Sequence, residues 1–206
     1  MTIDHVGYLF FPEQEWMRAI GRLTMPIFGY AIARGYYYTR NKNSYLWRMG
    51  ILAVISQIPF MVLFASFEHF QIGSSEFLFP TLNMVIPWTL SLFFLRFRFL
   101  YVLPFIALLF YIPMDYTSVV ILLPIAVYHL WFKSRKPVLA LLTSAGVLSI
   151  IALMSDPVQW WSLLAIPLIL IIEKHDGRIR LNKWVFYAYY PAHITALYGL
   201  YLLLGV

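Results

Sequence analysis

Residues 184–205, WVFYAYYPAHITALYGLYLLLG, contain no Asp, Glu, Lys or Arg, and a single histidine, His193, stands near their centre. A helix of this length covers about 33 Å at 1.5 Å per residue, enough to cross a hydrocarbon core of about 30 Å. The stretch reads as a transmembrane helix. Outward from it, further apolar runs lie at 1–11, 16–38, 45–67, 77–95, 99–113, 116–132, 137–155 and 158–173. The sequence therefore predicts an all-α, polytopic transmembrane helix bundle of about nine apolar segments, the first one short. Connections between the runs are brief, so residues 1–206 read as a single integral membrane domain.

Composition agrees. Apolar residues make up 62% of the chain and charged residues 12%, far from the charge density a water-exposed surface requires. Cysteine is absent, which excludes thiolate nucleophiles, thiolate metal sites and disulfides. The net charge of +6 is spread in bursts between apolar runs: Arg34, Arg40, Lys42 and Arg48; Arg96 and Arg98; Lys133, Arg135 and Lys136; Lys174, Arg178, Arg180 and Lys183. The intervening loops carry Glu13 and Glu15, Glu68 and Glu76, Asp115, and Asp156. This alternation is the positive-inside pattern, with basic loops cytoplasmic and the C-terminus outside. Without an aromatic-basic module or a glycine-rich phosphate loop, the expected partner is membrane lipid and not nucleic acid.

Trp16, Trp47, Trp131, Trp160, Trp161 and Trp184 fall at predicted span ends and read as interfacial anchors. Prolines inside the spans, among them Pro26, Pro59, Pro124 and Pro191, each remove a backbone donor and predict kinks. No internal repeat and no metal-binding spacing such as HExxH is present, so no metal is expected. The first run is too short to cross, since 11 residues make about 16 Å of helix. A half-helix upstream of Met1 is the expectation.

Four ionisable residues interrupt the apolar runs: Asp4 and His5 in the first, Arg22 in the second and His193 in the last. Such groups are costly at membrane depth unless they are paired or face a protected hollow, so they are the candidate catalytic set. Helical rise puts His5 about 10 Å inward from Pro12, Arg22 about 9 Å from Trp16, and His193 about 14 Å from Trp184. These depths overlap, and the expectation is one polar pocket shared by the first, second and last helices. Asp4 is expected to meet Arg22. Arg18 and Arg22 share a helix face, as do Tyr189, Tyr190 and His193. The plainer alternative is that Asp4 and Arg22 lock two helices together and the histidines serve packing. His69, His129 and His175 read as loop or interface residues.

The same residues carry a resemblance. Ile3-Asp4-His5 with Val6-Gly7, Gly21-Arg22-Leu23 with Pro26-Ile27-Phe28, Thr39-Arg40-Asn41, Ser56-Gln57 with Pro59-Phe60, Asp115-Tyr116, and Phe186-Tyr187 with Tyr190-Pro191 and His193 occur in this order. In these the chain resembles the TraX family, named for a conjugal-transfer protein that acetylates the N-terminus of a pilin. The family's Asn-x-x-x-Thr-Leu pattern is met only loosely, by Asn83, Thr89 and Leu90, and the glycines expected after Tyr116 are absent. The resemblance implies an acetyltransferase of the bacterial cytoplasmic membrane, with acetyl-CoA as donor and an amine or hydroxyl of an envelope peptide or glycan as acceptor. It implies His5 as general base or acyl carrier, Arg22 as oxyanion or carboxylate partner held by Asp4, and His193 as a second acid-base group. Tyr189, Tyr190 and Asp115 would contact substrate. Arg40, Arg48, Arg178 and Arg180 would clamp the CoA phosphates, although topology alone also produces basic loops. A transporter or flippase, and a non-catalytic subunit of a secretion or conjugation assembly, are the alternatives left open.

Overall fold

The computed structural model describes residues 1–67, 83–97, 118–174 and 183–204, and every regular element among them is helical. In chain order these are α1 (Thr2–Phe10), α2 (Glu15–Arg22), α3 (Thr24–Tyr38), α4 (Lys42–Phe67) and α5 (Val85–Phe97). A 3-10 turn (Ser118–Ile121), α6 (Leu122–Ala126) and a π-helix (Val127–Lys133) follow. Then come α7 (Pro137–Met154), a second 3-10 helix (Pro157–Leu164), α8 (Ala165–Lys174) and α9 (Lys183–Leu204).

The expectation of nine apolar segments is not met. Among the described residues two helical stretches are long and apolar enough to cross a membrane, Lys42–Leu63 and Pro157–Lys174. Val85–Phe97 and Pro137–Leu153 are apolar but shorter. The run at 16–38 breaks at Leu23, because Pro26 has no N–H to offer the Arg22 carbonyl one turn earlier. The Leu23 amide bonds instead to the Ile20 carbonyl at 3.2 Å, a tightened turn. Likewise the run at 116–132 changes winding twice around Pro124. The predicted span at 99–113 lies outside the described residues. The two crossing-length helices and the apolar composition are those of a membrane-associated protein.

The chain divides into two compact units, Met1–Arg40 with Val119–Leu181, and Asn41–Ser118 with Asn182–Val206. In the first unit α3, the π-helix and α8 meet around Tyr30, Ala33, Val127, Phe132 and Ile169. Aromatic contacts dominate there: Tyr30 meets Trp131 edge-on at 5.9 Å, and Tyr37 stacks on Phe132 at 5.2 Å. Trp131, half-buried, packs against this cluster. Trp16, Trp47, Trp160 and Trp161 are exposed, as anchors would be.

In the second unit α4 packs on both α5 and α9. Asn41 caps α4, its side-chain oxygen accepting from the Ser44 amide at 2.9 Å. Asn83, fully buried, performs the same service for α5 through the Val85 amide at 2.9 Å. Its amide nitrogen donates to Gln57 Oε1 at 2.7 Å and to the Ala53 carbonyl at 3.0 Å, both on α4. Gln57, which carries part of the family resemblance, and Asn83, from the loosely met pattern, thus form a structural bracket. Asn83→Ala is expected to destabilise the protein by about 2 to 3 kcal/mol, since the cap on α5 and the side-chain hydrogen bonds to α4 vanish together. Thermal melts in detergent measure this, and a melt equal to wild type would show the bracket is dispensable.

Candidate functional site

Antiparallel α1 and α2 approach so closely that side chains at the crossing must be small. A Cβ built on Gly7 would lie 2.7 Å from the Met17 Cβ, and one built on Gly21 would overlap the Asp4 side chain, 2.7 Å from its Oδ1. Glycine at 21 is what lets Asp4 enter the α2 surface. There the buried carboxylate meets two guanidinium groups, Arg18 Nε at 3.4 Å and Arg22 Nη1 at 4.0 Å. Arg18 also lies over the Tyr8 ring, 4.9 Å from its centroid. Sequence reasoning paired Asp4 with Arg22 alone; the structure adds Arg18, one helical turn earlier, as the nearer partner.

Two guanidinium groups thus lie against one carboxylate. Asp4 and Arg22 are 7% and 8% exposed, so solvent screens this pairing little. Guanidinium groups held in this way are suited to bind an anion, or an oxygen on which negative charge develops. His5, the next residue after Asp4 on α1, is half-buried.

The same pairing predicts which substitution harms the fold most. Asp4→Ala leaves the buried Arg22 and the half-buried Arg18 guanidinium groups without their carboxylate and is expected to cost about 3 kcal/mol. Arg22→Ala costs less, because Arg18 remains on Asp4, and Arg22→Leu added to Asp4→Ala recovers stability. Melts in the opposite order would show that Asp4 is not the hub.

His193 belongs to the second unit, on α9. Its Nδ1 is 2.9 Å from the Tyr189 carbonyl oxygen. A carbonyl only accepts, so Nδ1 carries a proton and donates it to Tyr189. Tyr189 stacks on the imidazole at 5.0 Å, nearly parallel, and buried Tyr190 meets it edge-on at 5.6 Å. The face shared by Tyr189, Tyr190 and His193 is thus present as the helical spacing implied. Of the four membrane-depth residues, Asp4 and Arg22 meet, His5 adjoins them in sequence, and His193 is positioned by its own helix.

Among the candidate CoA contacts, Arg40 is exposed after the end of α3. Arg48 is half-buried, its Nε donating to the Tyr187 hydroxyl at 3.4 Å with its guanidinium 5.8 Å from the Tyr45 ring. Arg178, Arg180 and Asp115 lie outside the described residues.

A second ionic cluster went unremarked in the sequence. The buried Tyr30 hydroxyl donates to Glu173 Oε1, and Arg34 Nη1 lies 3.2 Å from the same oxygen. Glu173 is the lone acid at the end of an apolar run, a signal that reading Arg34 only as a loop charge concealed.

A helical, membrane-associated chain with a buried carboxylate between two arginines, beside a histidine, is the class these observations define. The chain belongs to the TraX family, described as TraX protein, which matches residues 1–201. Over 102 residues it is 30% identical to the probable fimbrial assembly protein FimC, serogroup H1, of Dichelobacter nodosus, covering 48% of this chain and 41% of that protein. Over 68 residues it is 43% identical to an uncharacterized protein of Rickettsia prowazekii (strain Madrid E), covering 32% of this chain and 25% of the relative. The chain thus spans less than half the length of either curated relative. No solved structure matches it.

Proposed function

We propose that this protein is an integral membrane acyltransferase of pilus biogenesis, moving an acetyl group from acetyl-CoA to an amine, or a hydroxyl, of an envelope peptide or glycan. The single observation that carries the reading is the buried Asp4 carboxylate with Arg18 and Arg22 against it, next to a histidine in sequence. Membership in the TraX family supports the chemistry only as far as the resemblance drawn from the sequence implies acetylation, and the name of the fimbrial assembly relative supports the setting. In this reading the chain crosses the bacterial cytoplasmic membrane several times, with basic loops inside and the C-terminus outside.

Each residue then has a chemical task. His5 takes the proton of the attacking amine or carries the acetyl group transiently. Arg22 and Arg18, which cannot lose their protons, hold a carboxylate or the developing oxyanion, and Asp4 fixes their positions. His193, oriented by its Nδ1 bond to the Tyr189 carbonyl, is a second acid-base group. Tyr189, Tyr190 and Asp115 contact substrate, and Arg40, Arg48, Arg178 and Arg180 hold the CoA phosphates.

The test is purified full-length protein in detergent with acetyl-labelled acetyl-CoA and a peptide matching a pilin N-terminus. The expected result is acceptor-dependent release of CoA with label on the peptide amine. No label on peptide or envelope glycan, with CoA retained as the thioester, overturns the reading in favour of a carrier or a non-catalytic subunit.

A further inference from the structure

Between α7 and α8 the chain winds as a 3-10 helix, Pro157–Leu164, started by Asp156, whose Oδ1 accepts from the Val158 amide at 3.2 Å. Residues three apart eclipse one another in this winding. Gln159 and Ser162 stand at that spacing and are the buried residues of the helix, 1% and 0% exposed. Trp160, Trp161 and Leu164 are exposed instead. The helix is therefore inverted relative to one in water, with its apolar side chains outward and two polar ones inward. Neither Gln159 Nε2 nor Ser162 Oγ has a hydrogen-bond partner.

Polar groups sealed from water without partners are unfavourable, and native proteins satisfy nearly all of them. Two on one face of one short helix call for an occupant that satisfies both. The helix packs directly on α2, whose own buried residues are Gly21 and Arg22. The interior of the first unit thus receives an amide N–H, a hydroxyl and the Arg22 guanidinium, next to the buried Asp4 carboxylate that already meets Arg22. The amide N–H and the hydroxyl are donors matched to a ligand that brings an acceptor oxygen.

We infer that Gln159 and Ser162 donate hydrogen bonds to the carbonyl oxygen of the acetyl group during its transfer, a role that rests on the acyltransferase reading above. The acceptor amine attacks the acetyl carbonyl carbon, forming the C–N bond while the carbonyl π pair moves onto oxygen. There Gln159 Nε2–H and Ser162 Oγ–H hold it. Return of the pair expels coenzyme A as thiolate, which takes up the proton that the amine nitrogen loses. Donors set in place before the charge forms need no reorganisation, which is why such positions contribute strongly to rate.

Gln159→Met and Ser162→Ala in the full chain test this with acetyl-CoA and the pilin-type peptide. Each is expected to lower kcat about a hundredfold with little change in KM for acetyl-CoA. Their thermal midpoints should stay level or rise, because an apolar side chain removes a stranded donor. Ser162→Thr, which keeps the hydroxyl, should retain most of the activity. Wild-type turnover by both variants, or rate losses that follow falling midpoints, overturns the inference while the acyltransferase reading stands. A wild-type protein that transfers no acetyl group overturns that reading, and this inference with it.

Discussion

Replacing His5 with alanine is expected to slow acetyl transfer by about a thousandfold, the scale on which a positioned general base contributes. The side chain is half-buried and the Asp4 carboxylate beside it keeps both arginines, so the variant should fold and insert normally. Two further outcomes separate the possible roles of the imidazole. If His5 is only a base, added free imidazole restores part of the rate and no acetyl group is ever found on the protein. If His5 carries the acetyl group, rapid quenching of wild type with acetyl-CoA alone traps label on residue 5, and His5→Ala traps none. Wild-type turnover by His5→Ala would remove the residue from the mechanism altogether.

The second large effect is structural. Gly21→Val places a branched side chain where the Asp4 side chain already sits, so α1 must back away from α2. Overpacking of this kind costs roughly 2 to 4 kcal/mol, and here it also draws the carboxylate off both guanidinium groups. Thermal midpoint and acetyl transfer are expected to fall together. Gly146, on α7, provides the contrast, since a Cβ there meets nothing within 4 Å. Gly146→Ala should stabilise by about 0.5 to 1 kcal/mol through the lower entropy of the unfolded chain. If Gly21→Val melts at the wild-type temperature, the close crossing of α1 and α2 does not hold the cluster.

Much of the candidate site was legible because ionisable groups stand out against an apolar background. Asp4, Arg22 and His193 were conspicuous as charges in runs such as 184–205, and all three are buried. Helical spacing alone set Tyr189, Tyr190 and His193 on one face, and the ring contacts follow it. The sharing of a helix face by Arg18 and Arg22 was legible, but a residue one turn from a loop gives no sign that a neighbouring helix will bring a carboxylate to it. Gln159 and Ser162 gave no signal. An uncharged polar residue in an apolar segment is ordinary, and the 3-10 winding that aligns positions 159 and 162 arises from the capped Asp156-Pro157 start, not from any periodicity in the run.

Sequence by itself determined that the chain is helical, that it belongs with a membrane, and which charges are anomalous, since these depend on composition and local spacing. Tertiary structure decided where long apolar runs break, that Gly21 admits Asp4 between two arginines, and that Asn83 and Gln57 serve as a bracket. Hydrophobicity is additive along a chain and can be read in order. Close approach and hydrogen-bond partnership join residues far apart in sequence, and only the folded backbone selects which of them meet.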